Sequence, residues 1–160
     1  MASCYDNINN RDSSLYYVNL ALQYAHANEV LTTYANALNI RAAIYTKSRE
    51  FGLAENDMKE AITVRERIGD VLYEISDMAQ LSSFYASIHE TIKGEAIAKK
   101  GLLIAEKANN LSKLIFLYEA LGENYKAAGL SGNYAKVLET IAGLKDSLYK
   151  KNSEDAIAEL

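Results

Sequence analysis

Proline is absent from all 160 residues, tryptophan is absent, and cysteine occurs once. Without proline nothing in the chain breaks a helix by geometry, which fits an all-helical protein. With Cys4 alone no internal disulfide is possible, and the redox compartment stays open. Met1-Ala2-Ser3-Cys4 has a faint likeness to the end of a bacterial lipoprotein signal, but the apolar segment that would precede it is missing, and a packed Cys4 beside Tyr5 is the expectation. No charged segment leads into an apolar core, so no signal peptide is expected, and no apolar run approaches a membrane span. A formal net charge of −4, with only the short basic pairs Lys99-Lys100 and Lys150-Lys151, lacks the basic face that nucleic acid requires. What remains, 49% apolar and 24% charged residues, is the composition of a folded domain.

Tyrosine, by contrast, is plentiful and ordered. Tyr5, Tyr45, Tyr85 and Tyr125 stand 40 residues apart, and self-similarity at a fixed period of 20–50 residues marks a repeat architecture. Ala42, Ser82 and Gly122 form a second column at the same period, with Ser14, Ala54 and Gly94 a third, Ala21, Ala61 and Gly101 a fourth, and Leu31, Val71 and Leu111 a fifth. Small residues in columns let helix backbones approach, and aromatic and aliphatic columns fill the gaps between helix pairs.

Each unit reads as two helices. In the second unit, apolar steps predict helices over about 30–51 and 53–68, with Phe51-Gly52 as the turn. Gly69-Asp70 closes that unit, glycine past a helix end and aspartate at the next start. The third unit predicts helices over 71–90 and 94–108, the fourth over 111–128 and 133–149, with about three extra residues in the turn Gly129-Leu130-Ser131-Gly132. The first unit keeps the end of a leading helix around Tyr5 and a second helix over 12–27. Asn152-Ser153-Glu154-Asp155 resembles a fresh helix start. The expected organisation is a repeat domain over 1–151, divided at 1–28, 29–69, 70–109 and 110–151, with the start of a further helix over 152–160. Both ends read as cut through helices, as in a piece of a longer polypeptide.

The columns resemble the tetratricopeptide repeat (TPR) in its longer form of about 40 residues. Ala42-x-x-Tyr45 with Ala54, Met58 and Ala61 follows its order of small and aromatic positions, as does Ser82-x-x-Tyr85 with Gly94, Ala98 and Gly101, and Leu121-Gly122-x-x-Tyr125 matches the first-helix motif best. The resemblance implies an all-α solenoid of about seven helices with a right-handed superhelical path. Gly132-Asn133-Tyr134, the 144–149 segment and Ala156-Ile157-Ala158-Glu159-Leu160 further resemble the last repeat of TPR sensory regions in Bacteroidetes two-component and transcriptional regulators. There, the region precedes a membrane span in membrane-bound sensors, which implies a periplasmic location, or is cytoplasmic in soluble relatives.

No residues assemble a catalytic, metal or cofactor site by pattern. His26 and His89 fall in different helices, and His89-Glu90-Thr91-Ile92-Lys93 lacks the second histidine of a zinc-protease motif. Gly129–Gly132 is a turn and not a nucleophile elbow. Glu119 and Glu123, one helical turn apart, have the spacing of paired carboxylates but are better read as an acidic surface. The spacing assigns Tyr45, Tyr85 and Tyr125 to packing.

In the family the first helices line a groove. That resemblance places Asn36, Asn39, Ala43 and Lys47, then Ser76, Ala79, Ser83 and Ser87, then Phe116, Glu119, Glu123 and Lys126 on its wall. Asparagines hold an extended backbone, Phe116 supplies an apolar anchor, and the glutamates favour a neutral or basic segment. The expected function is a non-enzymatic protein-binding module of a larger bacterial regulator, its partner a protein or peptide segment, with no cofactor, no nucleic acid and no direct membrane contact. The alternative is a self-associating scaffold that pairs through the last helix at Ile157 and Leu160.

Overall fold

The computed structural model describes the backbone of residues 2–158 and the side chains of residues 11–153. Expectations placed on Cys4, Tyr5, Ile157 and Leu160 fall outside the described side chains. Seven helices account for the described chain, with no strand among the described residues: α1 (Ala2–Ala27), α2 (Leu31–Lys47), α3 (Phe51–Ile68), α4 (Val71–Ser87), α5 (Thr91–Lys107), α6 (Leu111–Ala127) and α7 (Ser131–Ala158). The chain is all-α, as its lack of proline and its helical periodicity predict.

From α2 onward, helices begin at residues 31, 51, 71, 91, 111 and 131, so the underlying step is 20 residues and two steps make the 40-residue period. Every connecting turn has the same construction. The middle residue is left-handed in each: Glu29, Arg49, Gly69, His89, Asn109 and Gly129 have φ between 48° and 72°. The next amide closes back on the carbonyl five residues earlier, as in Val30 N to Ala25 O (2.9 Å), Glu50 N to Tyr45 O (2.9 Å), Glu90 N to Tyr85 O (2.9 Å) and Leu130 N to Tyr125 O (2.9 Å). This is the Schellman closure, which satisfies carbonyls that a helix end leaves open. Tyr45, Tyr85 and Tyr125 therefore hold the closing carbonyl of each first helix.

Several sequence expectations move accordingly. The turn placed at Phe51-Gly52 lies at Ser48–Glu50, and Gly52 sits in the first turn of α3. The helix expected from Gly94 starts at Thr91, and the extra residues expected in the fourth unit are absent, because Ser131 and Gly132 already belong to α7. No new helix begins at Asn152: α7 runs through it, and the Ser153 hydroxyl donates back to the Tyr149 carbonyl (3.0 Å) instead of capping a new start. Likewise α1 is continuous across Asp12. Cap-type residues favour a helix start only where the chain also turns, and neither place has a residue that forces one.

The molecule divides into two compact units, 1–70 and 71–160. In the first unit α2 packs against both α1 and α3. Its core joins Val18 and Leu22 of α1, Ala35, Ala37 and Leu38 of α2, and Ala61 and Val64 of α3, with Ala21 and Leu31 against the edge. In the second unit α4, α5 and α6 pack mutually and α7 lies on α6. The small-residue columns stand where helices meet. Ala42, Ala54, Ala61 and Ser82 have no exposed surface, Gly101 lies against Leu117 of α6, and Gly122 lies against Tyr134 and Val137 of α7.

Candidate functional site: an interaction surface

Each unit is pinned by one polar junction of three helices. In the first unit the Arg41 guanidinium of α2 makes a two-pronged pair with Asp57 of α3, Nε to Oδ2 at 2.7 Å and Nη2 to Oδ1 at 2.8 Å, and its remaining nitrogen donates to Asn19 Oδ1 of α1 at 2.9 Å. The Tyr45 ring lies beneath the same guanidinium, 5.9 Å from its centre. The hydrogen bonds that Arg41 donates to Asp57 hold its proton more tightly than usual, although burial opposes this. Arg65 is completely buried, and donates to Asp70 and to Asn36.

In the second unit the junction is neutral. The Asn124 amide nitrogen of α6 donates to Ser82 O (3.0 Å), Ser82 Oγ (2.9 Å) and Ala120 O (2.9 Å), and Ser82 Oγ donates to the Gly94 carbonyl of α5 (2.8 Å). Asn124 Oδ1 has no conventional donor. It instead lies 1.9 Å from where a Cβ on Gly94 would stand, so the Gly94 Cα–H points at it. These junctions lock helices together and present nothing to a ligand.

Most, but not all, of the predicted groove residues lie on the surface. On α6, Phe116, Glu119, Glu123 and Lys126 fall on one exposed face at three- and four-residue steps, joined by Ser112. Phe116 keeps 41% of its surface, and Glu119 carries an ion pair with Lys145 of α7 at 3.0 Å. On α2, Asn36, Ala43 and Lys47 share an exposed face with Asn39 half-buried, but Asn36 already accepts from Arg65. On α4 the expectation fails in part: Ser76 and Ala79 are buried, the Ser76 hydroxyl donates to Leu72 O and accepts from Lys113 of α6, and Ser83 is half-buried, leaving Ser87 exposed. Spacing along one helix marks groove positions a turn at a time, and it carries no sign of a lysine arriving from the next first helix.

His26 lies edge-on to Tyr34 at 5.9 Å, and His89 occupies a turn. Among the described residues no three His, Cys, Asp or Glu side chains are placed to hold a metal ion, and no helix is long and apolar enough to cross a membrane.

Two tyrosines titrate above the usual tyrosine range. Tyr34 is raised first by its hydrogen bond to Glu60 (2.7 Å) and then by burial, while Tyr125 is raised first by burial and then by Glu95, which its hydroxyl reaches at 3.2 Å. A raised value means that the fold prefers the protonated phenol. The resulting stability is therefore complete below the ordinary tyrosine pKa and is lost as pH rises through the folded value. Urea stability measured along the alkaline range should fall more steeply for the natural chain than for Tyr34→Phe or Tyr125→Phe. Parallel curves would show that neither hydroxyl contributes.

No protein-family model matches the chain, and no curated protein sequence matches it. Solved structures do. The crystal structure of BtubC (BKLC) from P. vanneervenii superposes with a TM-score of 0.75 at 21% identity, over 92% of this chain and 61% of that one. The chain is an all-α helical repeat protein. It spans less than two thirds of the matched structure's length, and at this identity the likeness speaks for the fold.

Proposed function

We propose that the chain is a non-enzymatic, TPR-type scaffold that binds an extended or helical protein segment on the open face of α6. The observation that carries this reading is Phe116, a half-open aromatic ring set among Ser112, Glu119, Glu123 and Lys126. An apolar anchor within a polar rim is the arrangement from which a few residues supply most of a binding energy. Glu119 is partly neutralised by Lys145, so Glu123 sets the preference for a neutral or basic segment. Within this reading the chain serves as the sensory or scaffolding region of a larger bacterial signal-transduction regulator, a placement supported by the resemblance of its 132–160 segment. A complete reading frame lacking any output domain would count against that placement.

The groove is tested by selecting displayed peptides on the natural chain and titrating them against variants. Phe116→Ala should weaken the selected peptides roughly thirtyfold, as loss of an anchor of about 2 kcal/mol implies. Glu123→Lys should weaken basic peptides further, most at low salt. Peptides that bind Phe116→Ala as tightly as the natural chain would remove α6 as the binding face.

A further inference from the structure

Sixteen consecutive residues of α1 and its turn, 13 to 28, contain no Asp, Glu, Lys or Arg, in a chain that is 24% charged. One side of this stretch, Val18 and Leu22, enters the core of the first unit. The other side is open and apolar: Tyr16, Tyr17, Leu20 and Tyr24 are 65%, 68%, 52% and 64% exposed, with the Tyr16 and Tyr17 rings edge to face at 5.3 Å. An uncharged helical stretch with apolar residues on opposite sides is suited to being covered on both.

The repeat shows what kind of cover fits. Position 17 of α1 corresponds, at 40-residue steps, to Asp57 of α3 and Val137 of α7. Asp57 pairs with Arg41 of the preceding helix, and Val137 lies against Gly122 of the preceding helix. Position 24 corresponds to Val64, which is buried against α2. In α1 those places hold Tyr17 and Tyr24, with no preceding helix among the described residues to cover them. Positions 16 and 20 differ from their counterparts as well. They correspond to Asn56 and Glu60, Ala96 and Lys100, and Lys136 and Thr140, all exposed and none a large apolar residue. In α1 they are Tyr16 and Leu20, so its apolar face is wider than a place inside the array requires.

We propose that this face pairs two copies of the chain, α1 against α1 in antiparallel orientation about a two-fold axis near Leu20. The pattern is self-complementary. Tyr16 and Tyr17 lie one turn before Leu20 and Tyr24 one turn after it, so reversal sets the tyrosine pair of each copy against Tyr24 of the other. The uncharged run places no like charges in opposition across the seam. Three tyrosines about two-thirds exposed and one leucine offer roughly 400–500 Å² per copy, the size of the largest apolar patch on a typical monomer, which is often a functional one. The total of about 900 Å² lies below the range of stable interfaces and within that of weak ones, so the pairing is a weak, concentration-dependent dimer. This pairing uses a different surface from the α6 face and the opposite end of the chain from the last helix.

Sedimentation across a concentration series of the full chain tests it. The natural chain should move from monomer toward twice the monomer mass as concentration rises. The variant carrying Tyr16→Lys and Leu20→Lys should stay monomeric with unchanged helical content, since Lys136 and Lys100 already occupy the equivalent positions in α7 and α5. Ile92→Lys, at a residue 84% exposed on α5, should dimerise as the natural chain does. The proposal is overturned by a natural chain that remains monomeric throughout, by association that survives the double substitution, or by equal loss in Ile92→Lys. A monomeric natural chain that instead binds an added peptide of the 71–87 sequence would assign the face to a helix of the first-helix type.

Discussion

Gly94→Ala is expected to destabilise the second unit by about 2–4 kcal/mol, although it adds a single methyl group to a helix. On an exposed helix the same exchange would gain up to about 1 kcal/mol, because alanine is the better helix former. At residue 94 the new Cβ would stand 1.9 Å from Oδ1, 2.4 Å from Cγ and 2.6 Å from Nδ2 of Asn124. Asn124 has no exposed surface into which to retreat. Turning it aside breaks the bonds that its amide makes to Ser82 and Ala120, and moving α5 away breaks the bond from Ser82 Oγ to the Gly94 carbonyl. The clash and the lost hydrogen bonds outweigh the propensity gain. For a chain of this size the loss corresponds to a fall in melting temperature on the order of 5–15 °C. Gly52→Ala is the control, since a Cβ there meets nothing within 4 Å, and it should be neutral or stabilising. Equal melting of the two variants would show that the junction yields, and that Gly94 does not set how closely α5 and α6 approach.

The columns that led to a repeat reading were legible because packing repeats. A small residue is required wherever helix axes approach, and Ala42, Ala61, Ser82 and Gly101 stand where that requirement falls. The turns were harder to read. Only Gly69 and Gly129 mark their left-handed positions with glycine, while Glu29, Arg49, His89 and Asn109 adopt the same φ with a full side chain. Such a residue costs roughly 1–2 kcal/mol in that region, a cost that the helix packing on either side offsets. Glycine was therefore a misleading guide at Gly52, where helix α3 simply continues through it. The polar junctions were not legible at all. Asn124 has no column partner, since the residues 40 and 80 positions earlier are Phe84 and Ile44. Of the groove, the α6 face was readable from helical steps, whereas the closure of Ser76 by Lys113 depends on how neighbouring helices approach.

Asp57→Ala should cost about 3 kcal/mol, the lower end of the range for breaking a buried ion pair. Asp57 is 5% exposed and loses a two-pronged partner, but the Arg41 side chain is 24% exposed and water reaches part of it. Exposed pairs set the baseline: Lys145→Ala, which removes the partner of Glu119, should change stability by less than about 1 kcal/mol. The repeat then supplies the decisive comparison. Forty residues on, the positions of Arg41 and Asp57 hold Leu81 and Ile97, and eighty residues on they hold Leu121 and Val137. Leu81, Leu121 and Val137 are all buried. At these equivalent positions the array thus holds an ion pair once and aliphatic side chains twice. Arg41→Leu alone leaves a buried carboxylate without its cation, and Asp57→Val alone leaves a guanidinium without its carboxylate, held by Asn19 and the Tyr45 ring, so each single change should destabilise strongly. Together they recreate the pair found in the last repeat, and the double variant should regain most or all of the lost stability, because the desolvation of two charges no longer opposes packing. Chemical denaturation of the four chains measures the coupling directly. Additive losses in the double variant would mean that the Arg41 bond to Asn19 of α1, and not the pair with Asp57, is what holds the three helices of the first unit together.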